Sequence, residues 1–112
     1  MKTVRVLLVD DHEVVRLGLT TLLEDLPGVM VVGEAGSGRE ALQLCQSLEP
    51  DLVILDIRLP DQSGVEVCRQ ILARWAHLKV IILTSYVSDD LIAETILAGA
   101  AGYVRKQVGL SA

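Results

Sequence analysis

A chain of 112 residues with no Phe, one Trp and two Tyr must build its core from Val, Ile, Leu and Ala, as strands covered by helices on both faces do. Its length suits one domain, spanning residues 1–112, with a single hydrophobic core. A net charge of −5 excludes a segment that grips nucleic acid or an anionic membrane by charge alone.

In chain order, Val4 to Val9 reads as a strand. From about Glu13 to Glu24, Val14, Val15, Leu17, Leu19, Leu22 and Leu23 recur at helical spacing before Pro27-Gly28 breaks the chain. Val29 to Glu34 is a second strand. Ser37 followed by Glu40 forms a capping-box pattern and opens a helix through about Leu48, which Glu49-Pro50 ends. Leu52 to Asp56 is the third strand, Ile57 to Gly64 a loop, and Ser63 the cap of a helix from Val65 to about Trp75. Lys79 to Thr84 is the fourth strand. Ser88, Asp89 and Asp90 start a helix through Ala98 that ends at Gly99, with carboxylates that complement its dipole. Gly102 to Lys106 is a short fifth strand. Alternating strands and helices imply a parallel sheet with helices on both faces.

No apolar run reaches the ~20 residues of a membrane span. The N-terminus enters a strand without the basic, apolar and cleavage regions of a signal peptide. The expected location is cytoplasmic. Cys45 and Cys68 lack a CxxC spacing or a neighbouring His, and read as buried free thiols in a reducing compartment.

The residues that carry chemistry close the strands. Asp10 and Asp11 follow the first, Asp56 ends the third, Thr84 the fourth and Lys106 the fifth. In a parallel sheet these carboxyl ends share one edge, where open α/β folds place their sites. Taken singly, an acidic pair is also a helix cap, Lys106 a solvated cation and Thr84 an ordinary strand residue. Taken jointly, three carboxylates, a hydroxyl and an ammonium suit a divalent cation and a phosphoryl group. Oxygen ligands from Asp11 and Asp56, with Asp10 acting through water, suit Mg²⁺. His12 is read as an ordinary residue of the first helical turn, since phosphoryl transfer here needs no imidazole base.

The segments VDDHEVVRLGL, LDIRLPDQSGVEV, ILTSY and LAGAAGYVRK together resemble the receiver domain of two-component response regulators. The nearest likeness is to the NarL/FixJ subfamily, with LuxR-type output, and to dormancy-type regulators of actinobacteria. The resemblance covers Val4 to about Val108. It implies a flavodoxin-like, doubly wound parallel sheet of five strands in the order 2-1-3-4-5. It places the metal site on Asp10, Asp11, Asp56 and the backbone carbonyl of Arg58, and the phosphoacceptor on Asp56. The switch hydroxyl falls on Thr84, the switch aromatic on Tyr103 and the phosphate-binding lysine on Lys106. Pro60 and Gly64 match the turn beyond the acceptor, as a fixed φ and a permissive backbone. Arg58 and Tyr86 are expected to flank the pocket mouth and slow the attack of water on an aspartyl-phosphate.

The implied function is a phosphoacceptor switch: Asp56 takes a phosphoryl group from a sensor histidine kinase, with Mg²⁺, and the change is passed to a DNA-binding output module. The chain would act as a switch with autocatalytic phosphotransfer and slow self-dephosphorylation. A stand-alone receiver in a phosphorelay or docking role is the alternative. Two departures stand out. Gln107 follows the lysine where many receivers have Pro, and the chain stops at Leu110-Ser111-Ala112, where the family begins its fifth helix. The fifth helix is therefore expected to be absent or truncated, with self-association, as a homodimer, through the uncovered sheet face or the fourth helix. A phosphohydrolase of the haloacid-dehalogenase type is disfavoured because it wants DxD after the first strand and a cap domain, and a nucleotide-binding role because neither GxxxxGK[ST] nor GxGxxG occurs.

Overall fold

The computed structural model describes residues 3–85 and 88–105. Five strands alternate with four helices: β1 (Val4–Val9), α1 (Glu13–Glu24), β2 (Val29–Ala35), α2 (Gly38–Leu48), β3 (Leu52–Asp56), α3 (Gly64–Arg74), β4 (Lys79–Thr84), α4 (Asp89–Leu97) and β5 (Gly102–Arg105). All neighbouring strands run parallel, in the order β2-β1-β3-β4-β5. This is the flavodoxin-like order that the resemblance implies. Differences from the sequence-based boundaries are of one residue: β2 continues to Ala35, α3 begins at Gly64 and α4 ends at Leu97. The expected end of the fifth strand at Lys106, the turn at Gln107 and the question of a fifth helix lie outside the described residues.

The period of two in each strand sorts its side chains to opposite faces. Leu7 and Val9, Val53 and Leu55, Val80 and Ile82 point to one face, where they pack with Ala41 and Cys45 of α2, Val67, Cys68 and Ile71 of α3, and Leu91 of α4. Val6, Leu8, Ile54 and Leu83 point to the other, against Leu19 and Leu23 of α1. The predicted α1 stripe is only partly used. Leu19 and Leu23, one turn apart, meet the sheet, while Val14, Leu17 and Leu22 are 82%, 67% and 67% exposed. Periodicity marks an apolar stripe but does not tell which of two adjoining rows faces the sheet.

Local signals set the helix starts. Ser37, Ser63 and Ser88 are the N-caps of α2, α3 and α4, and their hydroxyls accept from the amides of Glu40, Val65 and Leu91. The capping box at Ser37 closes one residue early: Glu40 Oε1 accepts from the amide of Gly36 at 2.7 Å. Glu49, the C-cap of α2, adopts a left-handed conformation with φ 49° because Pro50 disfavours a helical residue before it. Both cysteines are buried and unbridged, and burial pushes the Cys45 thiol up to about 11. Among the described residues, no helix is long and apolar enough to cross a membrane.

Candidate functional site

Strand order reverses at β1, which lies between β2 and β3. The crevice beyond the carboxyl ends of β1 and β3 is therefore the topological switch point, where open sheets bind ligands. Register decides what sits there. Val9 pairs with Leu55, so Asp10 and Asp56 are the next residues out on adjacent strands. Asp56 pairs with Leu83, so Thr84 lies one position further along β4. All three side chains are buried: Asp10 is 1%, Asp56 3% and Thr84 3% exposed. Asp11 turns toward solvent.

Donor atoms of Asp10, Asp11, His12 and Asp56 all lie within 4.8 Å of one another. Three carboxylates at that spacing repel unless a cation or a proton offsets their charge, and hard oxygens in this number suit a small divalent ion. The acidic half of the expected site is thus assembled as one group.

His12 departs from its sequence-based reading. It is the N-cap of α1 rather than a residue of its first turn. Its amide donates to Asp10 Oδ1 at 2.8 Å, and its Nδ1 lies 2.9 Å from that oxygen and 3.2 Å from Asp11 Oδ1. Periodicity had no means of revealing this. Adjacency to the acidic pair was the available signal.

Two further contacts were not anticipated. The Arg16 guanidinium donates to the backbone carbonyl of Asp10 and, at 3.0 Å, to Glu34 Oε1, so it ties the end of β1 to β2. Asp61, in the loop after β3, accepts from the amides of Gly38 at 2.8 Å and Arg39 at 2.9 Å. These bonds hold its carboxyl below the ordinary value, with Gly38 contributing most and Arg39 next. The loop is thereby fastened to the N-terminus of α2.

That loop also closes on itself. Arg58 and Ser63 form an antiparallel bridge, and the Gly64 amide donates to the Ile57 carbonyl at 2.7 Å. The Arg58 amide lies 3.4 Å from Asp56 Oδ1, and its side chain is exposed at the rim. An open depression of about 480 Å³ lies between the loop after β3 and α4, lined by Ile57, Arg58, Leu59, Gln62, Ser63 and Leu91. Tyr103 pairs with Ile82 on edge strand β5 and is 40% exposed. Lys106 and Tyr86 lie outside the described residues.

An acidic cluster at the switch point of a 2-1-3-4-5 sheet, with a buried hydroxyl on the next strand, defines a phosphoacceptor switch of the receiver class. Residues 6–112 match the family model of the response regulator receiver domain, and the chain belongs to that family. It is 53% identical over 105 residues to the DNA-binding transcriptional activator DevR/DosR of Mycobacterium tuberculosis, covering 94% of this chain and 48% of that protein. The signal receiver domain of the putative response regulator NarL from Mycobacterium tuberculosis superposes with a TM-score of 0.91 at 30% identity, covering 97% of this chain and 88% of that one. A LuxR-family two-component response regulator from Aurantimonas sp. SI85-9A1 gives 0.90 at 36% identity, covering 96% and 76%. The NarL/FixJ likeness and the dormancy-type similarity both hold. The chain spans about half the length of the curated relatives it matches.

Proposed function

We propose that the chain accepts a phosphoryl group on Asp56 from the phosphohistidine of a sensor kinase. The observation that carries this reading is the gathering of Asp10, Asp11 and Asp56 at the β1/β3 switch point. Asp56 is the member that itself ends a strand, buried like Asp10, with Thr84 on the neighbouring strand.

The carboxylate oxygen of Asp56 attacks phosphorus in line with the breaking P–N bond, and the donor imidazole leaves with the electron pair. A small acyl phosphate would serve equally, losing its carboxylate. Asp10, Asp11, Asp56 and the Arg58 carbonyl form the proposed Mg²⁺ site. Bound Mg²⁺ would supply positive charge beside the equatorial phosphoryl oxygens. Lys106 is assigned the same electrostatic task on the strength of its sequence position.

Readout runs through Thr84 and Tyr103. The Thr84 hydroxyl turns toward the phosphoryl group, and Tyr103 moves from its exposed position into the space released, which biases the α4–β5 surface between two states. DNA binding would come from an output module outside this sequence, by likeness to the DNA-binding activator DevR/DosR, and a second copy of the chain would pair with the switched surface. The whole would work in the cytoplasm.

The test is phosphotransfer from a small acyl phosphate with Mg²⁺. Wild type should be labelled, Asp56→Asn should not, and labelling should fall when Mg²⁺ is chelated. Label that persists in Asp56→Asn at the wild-type level removes the proposal.

A further inference from the structure

The peptide that joins Asp10 to Asp11 is held from outside the acidic group. The Asp10 amide donates to the Ala35 carbonyl at 2.9 Å, which carries the β1–β2 pairing one residue past Val9. Beyond that rung the chain bends into α2, and the Gly36 amide donates to Glu40 Oε1 at 2.7 Å. The Asp10 carbonyl accepts from Arg16 Nη1, while Arg16 Nε donates to Glu34 Oε1 at 3.0 Å. Arg16 lies one turn past the N-cap of α1, its amide donating to the His12 carbonyl at 3.1 Å. From there a helical side chain leans back toward the start of its helix, here to the end of β1. The Arg16 side chain is only 20% exposed.

We infer that Arg16 is a positioning residue for the cation site, which sets Mg²⁺ affinity by fixing the peptide between the two acidic residues. The inference rests on the reading of this pocket as a cation site. A peptide unit is planar, so the Asp10 carbonyl and the Asp11 amide turn together. Holding that oxygen fixes the angle at which Asp11 leaves the strand, and with it the splay between a buried carboxylate and an exposed one. The guanidinium can do this because its donors lie in one rigid plane, with Nε anchored on Glu34 and Nη1 aimed at the carbonyl. A lysine ammonium brings the charge without the fork. Charge alone has the opposite effect, since a cation beside the acidic pair repels a second cation. The two roles therefore differ in sign.

The experiment measures the Mg²⁺ affinity of the full chain by titration calorimetry, alongside the urea midpoint of each protein without metal. The proteins are wild type, Arg16→Lys, Arg16→Met and Arg69→Lys. Arg16→Lys keeps the charge and loses the fork, whereas Arg16→Met loses both and keeps an unbranched stem. Arg69 forms an exposed pair with Glu66 on α3 and controls for loss of a guanidinium elsewhere. The expected result is Mg²⁺ affinity about tenfold weaker in both Arg16 variants, with Arg69→Lys unchanged. An unchanged affinity in Arg16→Lys with a tighter one in Arg16→Met overturns the inference and leaves a charge effect alone. Lowered urea midpoints in both Arg16 variants with wild-type Mg²⁺ affinity also overturn it, leaving Arg16 a tie between β1 and β2 with no bearing on the cation. Failure of wild type to bind Mg²⁺ removes the cation site itself, and the inference with it.

Discussion

Gly64, the first residue of α3, packs so tightly on the end of β3 that a Cβ added to it would collide with the backbone carbonyl of Asp56 and come within 2.7 Å of Ile57 Cα. The obstacle is backbone, which cannot swing aside as a side-chain tip could. Helix α3 can start against the strand that carries Asp56 only because this position has no side chain. Gly64→Ala should lower stability by about 2 kcal/mol, read as a lower urea midpoint. A loss below about 0.5 kcal/mol would show that the close approach costs little to relax.

Glu49 is the opposite case, a side chain where glycine would be easier. Its φ of 49° lies in the left-handed region, which is unfavourable for residues with a Cβ. Glu49→Gly should stabilise the chain by up to about 1 kcal/mol, seen as a higher thermal midpoint. Destabilisation would mean that the Glu49 side chain makes a contribution larger than its backbone strain.

Asp61 supplies a pH dependence. Its carboxyl is held below the ordinary 3.8, chiefly by the Gly38 amide and then by that of Arg39. A carboxylate with a lowered folded pKa favours the folded state above its unfolded pKa, and that contribution is lost as pH falls through the folded value. Asp61→Asn does not titrate, so wild type should exceed it in urea midpoint at neutral pH, by a small margin because the group is solvent-screened. The gap should close as pH falls below 3.8. A gap that widens on acidification would contradict this.

The legible part of the fold was what repeats. Apolar runs of Val, Ile and Leu marked the first four strands, and Ser37, Ser63 and Ser88 marked three helix starts. Placement of Asp10, Asp56 and Thr84 followed, because each ends a strand and parallel strands share one edge. What escaped depends on contacts between distant segments. Asp61 meets Gly38 and Arg39 across 23 and 22 positions. Arg16 meets Glu34 across 18. Gly64 reads in sequence as a flexible turn residue, yet its reason is steric and is visible only once β3 and α3 touch. His12 was read as a first-turn residue because its contacts with Asp10 and Asp11 depend on where the helix starts.

The central claim is that Asp56 bears the phosphoryl group, and mapping the modified residue tests it most directly. After reaction with a small acyl phosphate and Mg²⁺, borohydride reduction converts an aspartyl-phosphate to homoserine, which peptide mass spectrometry locates. The account predicts homoserine at position 56, and none at positions 10 or 11. Homoserine at either member of the acidic pair, with position 56 unmodified, would contradict it.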